Sequence, residues 1–135
     1  MAVVVFDSDV LIGFLNSTDA HHADAVALVR DSLAPGTRRM LSAVNYGEIL
    51  IGTIKAGTQA RDHVEGMLGG FSIEIILVDG AFARRAAAVC ARTNLTLPDY
   101  ALATAIHVER NGYAEVSLAS FDRDVLRAHA ELHPD

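Results

Sequence analysis

The chain contains a single cysteine, a single lysine and no tryptophan among its 135 residues. One cysteine cannot form a disulfide within the chain, nor can it supply the several thiolates of a structural zinc site, so we expect Cys90 to pack in the core. The shortage of lysine and the net charge of −6 argue against a broad basic surface. Long apolar runs are also missing, because the N-terminal one covers only residues 2–6 and has no basic flank. We therefore predict a cytoplasmic protein.

What the sequence does contain is enough apolar material for a folded core. Hydrophobic residues make up 51% of the chain, and no stretch is of low complexity. A chain of this length and composition fits one globular domain, which we place over residues 1–135. Lysine and arginine together number 11, so ten arginines remain available for contacts with phosphate. We expect the adjacent arginine pairs at residues 38–39 and 84–85 on solvated surface.

Strand-like and helix-like segments alternate along the chain. Asp9 and Asp79 are predicted to cap the helices that follow them, and Gly57 to end another. The alternation predicts an α/β fold with a central parallel sheet of four to five strands and helices on both faces. The predicted strands cover residues 3–6, 40–42, 73–78, 116–119 and 130–132, and the predicted helices cover residues 10–15, 20–33, 44–56, 58–68, 80–93, 96–109 and 122–127.

Two aspartates closely follow predicted strands. Asp7 comes directly after the first strand, and Asp122 follows the fourth after only two residues. Ligands bind at the carboxyl ends of the strands in open parallel sheets, and these two strands could be neighbours. Each aspartate could instead cap a helix, which is a common use of this residue after a strand. For Asp7 capping is the weaker alternative, because Asp9 is better placed as the cap.

Two further acids lie on predicted helices. Glu48 shares a helix face with Val44 and Ile51, so we expect it to face the core. A carboxylate there must be paired, hydrogen-bonded, protonated or bound to metal, because burial of a bare charge is costly. A structural salt bridge would also explain it. Asp99 fits the capping-box spacing from Thr96, and capping alone would account for it.

The four acids Asp7, Glu48, Asp99 and Asp122 make a stronger case together than any one of them alone. All four could open on the same edge of the sheet. Mg²⁺ and Mn²⁺ prefer carboxylate oxygen and water, and ions held by such a cluster can activate water for attack on a phosphodiester. The six histidines form no comparable cluster, so we expect solvated or packing roles for them. The sequence therefore predicts a carboxylate site for one or two divalent ions.

Four segments in this order resemble the PIN domains, in particular the VapC-type ribonucleases of bacterial toxin–antitoxin pairs. The resemblance covers nearly the whole chain, and Glu48 takes the place of the acid in the second segment. Two positions depart from the pattern, because Val125 replaces an aromatic residue and Asp9 adds an acid. The segments read VVVFDSDVLI at residues 3–12, SAVNYGEILIG at 42–52, LPDYALATA at 97–105 and SFDRDV at 120–125.

The resemblance implies a PIN-like fold and a metal-dependent endoribonuclease that cleaves transfer or ribosomal RNA, leaving a 5′-phosphate and a 3′-hydroxyl. It also implies Mg²⁺ or Mn²⁺ as the cofactor, a homodimer, and inhibition by a cognate antitoxin. Asp122 would be a fourth acid at the metal, and Asp124 a further one that could instead balance nearby arginines. Ser8 and Ser120 would hydrogen-bond the ligands. The main metal ligands implied are Asp7, Glu48 and Asp99.

Two other functions remain open at this point. The segment DSDVL at residues 7–11 also fits the opening motif of haloacid-dehalogenase-type phosphatases. Asp7 would then be the nucleophile, Asp9 the general acid and Lys55 the lysine of that family, which leaves two of the four acids without a role. The second alternative is a non-catalytic, receiver-like domain that binds one Mg²⁺, with Asp79 in the place of the phosphoacceptor.

Overall fold

The computed structural model describes residues 2–93, 95 and 99–132. The strands in this part of the chain are β1 (Ala2–Phe6), β2 (Thr37–Ser42), β3 (Ile73–Ile76) and β4 (Glu115–Ala119). They form one parallel sheet in the order β3-β2-β1-β4. The predicted parallel sheet is confirmed with four strands, and β1 and β4 are neighbours as expected. Phe6 pairs with Ala119 at their carboxyl ends, so the residues that follow both strands emerge side by side.

Helices connect the strands, and most begin and end where the sequence pattern predicts. Asp79 caps α5 by accepting a hydrogen bond from the Phe82 backbone N–H over 2.8 Å, as predicted. Gly57 ends α3 in the left-handed region with φ of 107°, which a residue without a Cβ adopts easily. The helices are α1 (Ser8–Leu15), α2 (His22–Asp31), α3 (Ala43–Ala56), α4 (Thr58–Gly70), α5 (Gly80–Ala91), α6 (Tyr100–Arg110) and α7 (Arg123–Leu132).

The prediction that Asp9 caps the first helix is wrong. Helix α1 begins at Ser8, and its N-cap is Asp7, whose backbone is extended and whose side chain accepts from the Ser8 N–H. Asp9 lies in the first turn and turns its carboxylate to the loop after β4, where Oδ2 accepts from the Phe121 N–H over 3.0 Å. This contact across the fold decides which aspartate is the cap, and local spacing cannot reveal it.

The predicted strand at residues 130–132 is also wrong, because these residues form the end of α7. The buried residues of this helix are Val125, Ala128 and His129, which recur at helical spacing. The His129 ring Nε2 lies 2.6 Å from Glu109 Oε1 on α6, which fixes α7 against that helix. Three residues at a chain end carry too little periodicity to distinguish a strand from a last helical turn.

Side chains of β1 alternate between two hydrophobic clusters, one on each face of the sheet. Val3 and Val5 pack with residues of α6 and α7, whereas Phe6 packs with residues of α1, α2 and α4. Full burial of such a side chain contributes about 1.5–3 kcal/mol, so β1 is anchored from both sides. The predicted layers of helices on both faces are confirmed. In the part of the chain that the structure describes, every helix is too short or too polar to cross a membrane.

Candidate active site

A pocket of about 650 Å³ opens at the carboxyl edge of the sheet, beyond the ends of β1 and β4. The structure brings all four predicted acids to its lining, although they come from four separate segments of the chain. Asp7 follows β1, Glu48 lies on α3, Asp99 precedes α6 and Asp122 precedes α7. The fold therefore places these four carboxylates around one pocket.

Asp7 is the most deeply buried of the four acids, with 8% of its surface exposed. Its Oδ1 accepts from the Ser8 N–H over 2.8 Å, and its Oδ2 accepts from the Ser120 hydroxyl over 2.8 Å. Burial raises the pKa of Asp7, while the hydrogen bonds from Ser120 and Ser8 oppose the rise. Asp122 adds repulsion and raises the same pKa further. The carboxylate is thus held in one orientation at an electrostatic cost.

The prediction that Glu48 faces the core is wrong. Val44 and Ile51, its neighbours on the helix, are 36% and 58% exposed, whereas α3 buries Asn45 and Ile49. Glu48 lines the pocket and is exposed to solvent. The core-facing stripe of α3 is rotated away from the one that the sequence predicted. Glu48 needs no buried partner for this reason.

Glu48 is nevertheless oriented toward the other acids. Its Oε2 accepts from the Ser8 hydroxyl over 3.2 Å, and its Oε1 accepts from the Asn45 side-chain amide over 3.2 Å. Asn45 is itself fixed, because its Oδ1 accepts from the Ser42 hydroxyl over 2.6 Å. Ser8 lies next to Asp7 and so links the first acid to the second. A chain of hydroxyl and amide donors therefore sets the position of this glutamate.

Asp99 caps α6 through its Oδ1, which accepts from the Leu102 N–H over 2.7 Å. Thr96, the other end of the predicted capping box, lies outside the described residues. Burial raises the pKa of Asp99 to about 6, and the negative charges of Asp7, Asp122 and Glu48 add to the rise. The four acids are thus close enough for their charges to repel one another. A cation in the pocket would relieve that repulsion.

Asp122 caps the start of α7 and is linked to Asp7 through the hydroxyl of Ser120. Its Oδ1 accepts from the backbone N–H groups of Asp124 and Val125, over 3.0 and 3.3 Å. Its own N–H donates to the Ser120 hydroxyl over 3.1 Å. Asp124 also lines the pocket and forms an exposed ion pair with Arg127 at 3.5 Å. Asp122 therefore combines helix capping with a place at the pocket.

The chemistry of these side chains fits a hard divalent cation. All four offer carboxylate oxygen, and because burial raises the pKa values of Asp7 and Asp99, a bound cation would favour their charged forms. Among the residues that the structure describes, no three acidic, histidine or cysteine side chains converge closely enough to enclose an ion. Such an open arrangement suits Mg²⁺, which keeps several waters, so that some of these carboxylates would contact the ion through water.

Four residues at or next to this pocket were not predicted in the positions that the structure gives them. Asn45 could have been found, because it lies three positions before Glu48 and therefore on the same side of the helix. The sequence around Asp9 does not indicate its contact with Phe121. Burial and the nearby charge of Asp7 raise the pKa of Asp9 to about 6. Two arginines were given no role at the pocket, because spacing along the chain does not show which side chains line one cavity. They are Arg92, at the end of α5, and Arg127, on α7.

The first arginine pair is half-buried, and its side chains are engaged within the protein rather than freely solvated. Arg38 forms an ion pair with Glu74, its Nε 2.8 Å from Oε2, and its guanidinium lies over the ring of Tyr113. Arg39 donates to backbone carbonyls, including that of Phe71 over 2.6 Å. Neither side chain is free to bind a ligand. Both are used within the fold, next to β2 and β3.

Two comparisons with known proteins agree with this architecture. A family model described as PIN domain matches residues 4–132. The structure is similar to the crystal structure of Mycobacterium tuberculosis VapC20, described as a toxin that cleaves the sarcin–ricin loop. The TM-score is 0.70 and the identity 20%, and the alignment covers 94% of this chain and 95% of that chain. A comparison with curated protein sequences gave no match. At this identity the structural likeness shows a shared fold.

Proposed function

The chain belongs to the PIN domain family, and on that premise we propose that it is a metal-dependent endoribonuclease, the toxin of a type II toxin–antitoxin pair. One observation carries this proposal: four carboxylates from distant segments line a single pocket and repel one another there. Helix capping accounts for Asp7, Asp99 and Asp122 one by one, but it does not require their charges to share a pocket, where their repulsion destabilises the fold. A divalent cation bound to the same oxygens would attract all of these charges, so the cluster would then stabilise the fold instead of destabilising it.

The residues that would hold Mg²⁺ or Mn²⁺ are Asp7, Glu48 and Asp99, with Asp122 as a fourth acid in direct or water-mediated contact and Asp124 as a further candidate. When bound, such an ion supplies an activated water and stabilises the departing oxygen of a phosphodiester. The other side chains of the protein hold these carboxylates in position. Ser120 and Ser8 hold Asp7 and Glu48 through their hydroxyls, and so keep the carboxylates aimed into the pocket.

The substrate in this proposal is structured RNA, either transfer or ribosomal, and its cleavage would inhibit translation. VapC20, which shares the fold, is described as cleaving the sarcin–ricin loop. The proposal includes a cognate antitoxin as the inhibiting partner, a homodimer as the free state, and the cytoplasm as the site of action. We propose residues 1–135 as one PIN domain.

The structure does not favour the phosphatase alternative. Its general acid would be Asp9, but one oxygen of that carboxylate accepts from the Phe121 N–H and the other is inaccessible to solvent. Its lysine would be Lys55, which lies exposed at the end of α3 and does not line the pocket. The receiver-like alternative is also not favoured, because Asp79 caps α5 and lies outside the pocket.

The decisive experiment is a cleavage assay with purified protein on transfer RNA and on a synthetic sarcin–ricin-loop RNA, in Mg²⁺, in Mn²⁺ and in EDTA. We expect cleavage with either ion, none in EDTA, and products that carry 5′-phosphates. Asp7→Asn should abolish cleavage and remain folded, whereas Asp62→Asn, at an exposed acid of α4, should behave as the unsubstituted protein. Full activity in chelator, or in Asp7→Asn, would overturn the assignment.

A further inference from the structure

Two arginines share the pocket with the carboxylates. Arg92 lies at the C-cap of α5 and Arg127 on α7, and both belong to the lining that contains Asp7 and Asp99. Among the lining residues that the structure describes they are the only cations, and they face six acids. The six acids are Asp7, Glu48, Asp99, Asp122, Asp124 and Glu131. An anionic ligand in this pocket would therefore find its positive contacts at these two side chains.

Both arginines are available, unlike several others in the chain. The Arg92 side chain forms no hydrogen bond or ion pair with any described residue and is exposed, while its backbone N–H donates to the last turn of α5. Arg127 has a weak partner in Asp124, at 3.5 Å, and the two side chains are 69% and 72% exposed. Such an exposed pair contributes little to stability, so Arg127 can exchange Asp124 for a ligand at small cost. By contrast, Arg38 and Arg39 are committed to Glu74 and to backbone carbonyls.

A nucleic acid strand brings one negative charge per nucleotide to a protein whose net charge is −6. Bound metal can compensate at the phosphate that is cut, but the phosphates on either side remain repelled by the acidic lining. A guanidinium offers a planar set of donors that matches phosphate oxygens and stays charged at any relevant pH. Two such groups beside the carboxylates are therefore placed to hold the flanking phosphates.

We propose that Arg92 and Arg127 bind phosphates of the RNA strand next to the scissile one, and so position the strand over the carboxylate pocket. This inference rests on the proposed ribonuclease function and adds to it the path of the substrate. Because the contacts are to flanking phosphates, they act on binding and alignment rather than on the bond that breaks. Both are positioning residues in this assignment.

The test compares Arg92→Gln and Arg127→Gln with Arg84→Gln, a matched control at an exposed arginine of α5 that does not line the pocket. Cleavage of the sarcin–ricin-loop RNA and of transfer RNA is measured in Mn²⁺ at several KCl concentrations. We expect each pocket variant to raise KM about tenfold, with kcat within about twofold, because one charge-assisted contact is lost. The slope of log KM against log salt should fall by about 0.7 for each arginine removed.

Lysine variants separate charge from structure. Arg92→Lys and Arg127→Lys should restore the salt slope, because the slope counts charge, whereas an effect on folding would not follow charge in this way. Unchanged KM and slope in both glutamine variants, while cleavage persists, would overturn the positioning role and leave the nuclease assignment standing.

Equilibrium binding distinguishes the failure of this inference from failure of the nuclease function. Fluorescence anisotropy of the labelled sarcin–ricin-loop RNA is measured with Asp7→Asn protein, with and without each arginine substitution. Weaker binding and a lower salt slope on removal of the arginines would support the inference, even if the unsubstituted protein cleaved neither RNA. Binding that is indifferent to both arginines would overturn it.

Discussion

Ser120 donates a hydrogen bond from its hydroxyl to Asp7 Oδ2 over 2.8 Å, although the two residues lie 113 positions apart in the chain. The same hydroxyl accepts from the Asp122 N–H over 3.1 Å. One buried serine therefore connects two of the four acids. The contact exists because β1 and β4 are adjacent and parallel, with Phe6 opposite Ala119, so that the residues after both strands meet.

The first prediction concerns this serine. Ser120→Ala removes a hydrogen bond that lowers the pKa of Asp7, so the pKa should rise and the carboxylate should lose its fixed orientation. Loss of such a supporting contact typically weakens metal binding about 10- to 100-fold. Isothermal titration with Mn²⁺ measures the effect, and Ser117→Ala, at an exposed position of β4, is the matched control. Equal affinity in the two variants would show that Ser120 does not support the site.

The second prediction is the pH dependence of stability in the metal-free protein. The pKa of Asp99 is about 6 when folded, against an ordinary value of 3.8, because burial disfavours its charged form. The folded state thus holds this proton more tightly than the unfolded state, so stability falls as pH rises from about 4 through about 6. Asp99→Asn keeps a side chain that can cap the helix, and it removes this loss of stability at higher pH. We expect a gain on the order of 1 kcal/mol at pH 7.

Urea unfolding at several pH values in EDTA checks this prediction. Asp9 has a pKa shifted in the same direction, to about 6, so part of the slope should remain in Asp99→Asn. The exposed control Asp62→Asn should keep the full slope. A variant Asp99→Asn that is less stable than the unsubstituted protein at neutral pH would contradict the electrostatic account.

The third prediction is that divalent metal stabilises the fold. An ion that binds only the native state at 100 times its Kd adds about 2.7 kcal/mol. Mn²⁺ and Mg²⁺ should therefore raise Tm at pH 7, and the effect should vanish in a variant that carries both Asp7→Asn and Asp99→Asn. Differential scanning calorimetry measures it. An equal rise in the double variant would place the bound ion elsewhere.

The fourth prediction separates the nuclease from the phosphatase through Asp9. An asparagine can still accept the Phe121 N–H through its amide oxygen, so Asp9→Asn should cleave RNA at a near-normal rate. Asp9→Ala cannot accept, and it should lower activity by releasing the loop that carries Asp122. Single-turnover cleavage rates report both variants. Complete loss of activity in Asp9→Asn, with a phosphorylated Asp7 trapped on the protein, would favour the phosphatase.

Much of the fold follows from local pattern. The β-branched run before Asp7 predicts β1, because it places apolar side chains on both faces of the strand. In the structure, Val3 and Val5 are buried on one face of the sheet and Phe6 on the other. The cap at Asp79 follows from its place before an alanine-rich helix. Local pattern failed where a long-range contact competed with it. Asp9 has good cap spacing, but Phe121 takes its carboxylate and Asp7 becomes the cap.

By itself, the sequence determined the order of the strands and helices up to the last helix, the parallel sheet and the acids of interest, because these depend on period, turn residues and charge within short windows. Only the tertiary structure decided how the carboxylates are held and what lies beside them. Glu48 lies on an exposed face of its helix and is oriented by hydrogen bonds from Ser8 and Asn45. Arg92 lines the pocket although it lies at the end of α5, which carries none of the four acids. Side-chain direction and proximity across the fold depend on how helices pack on the sheet, and no short window of sequence contains that information.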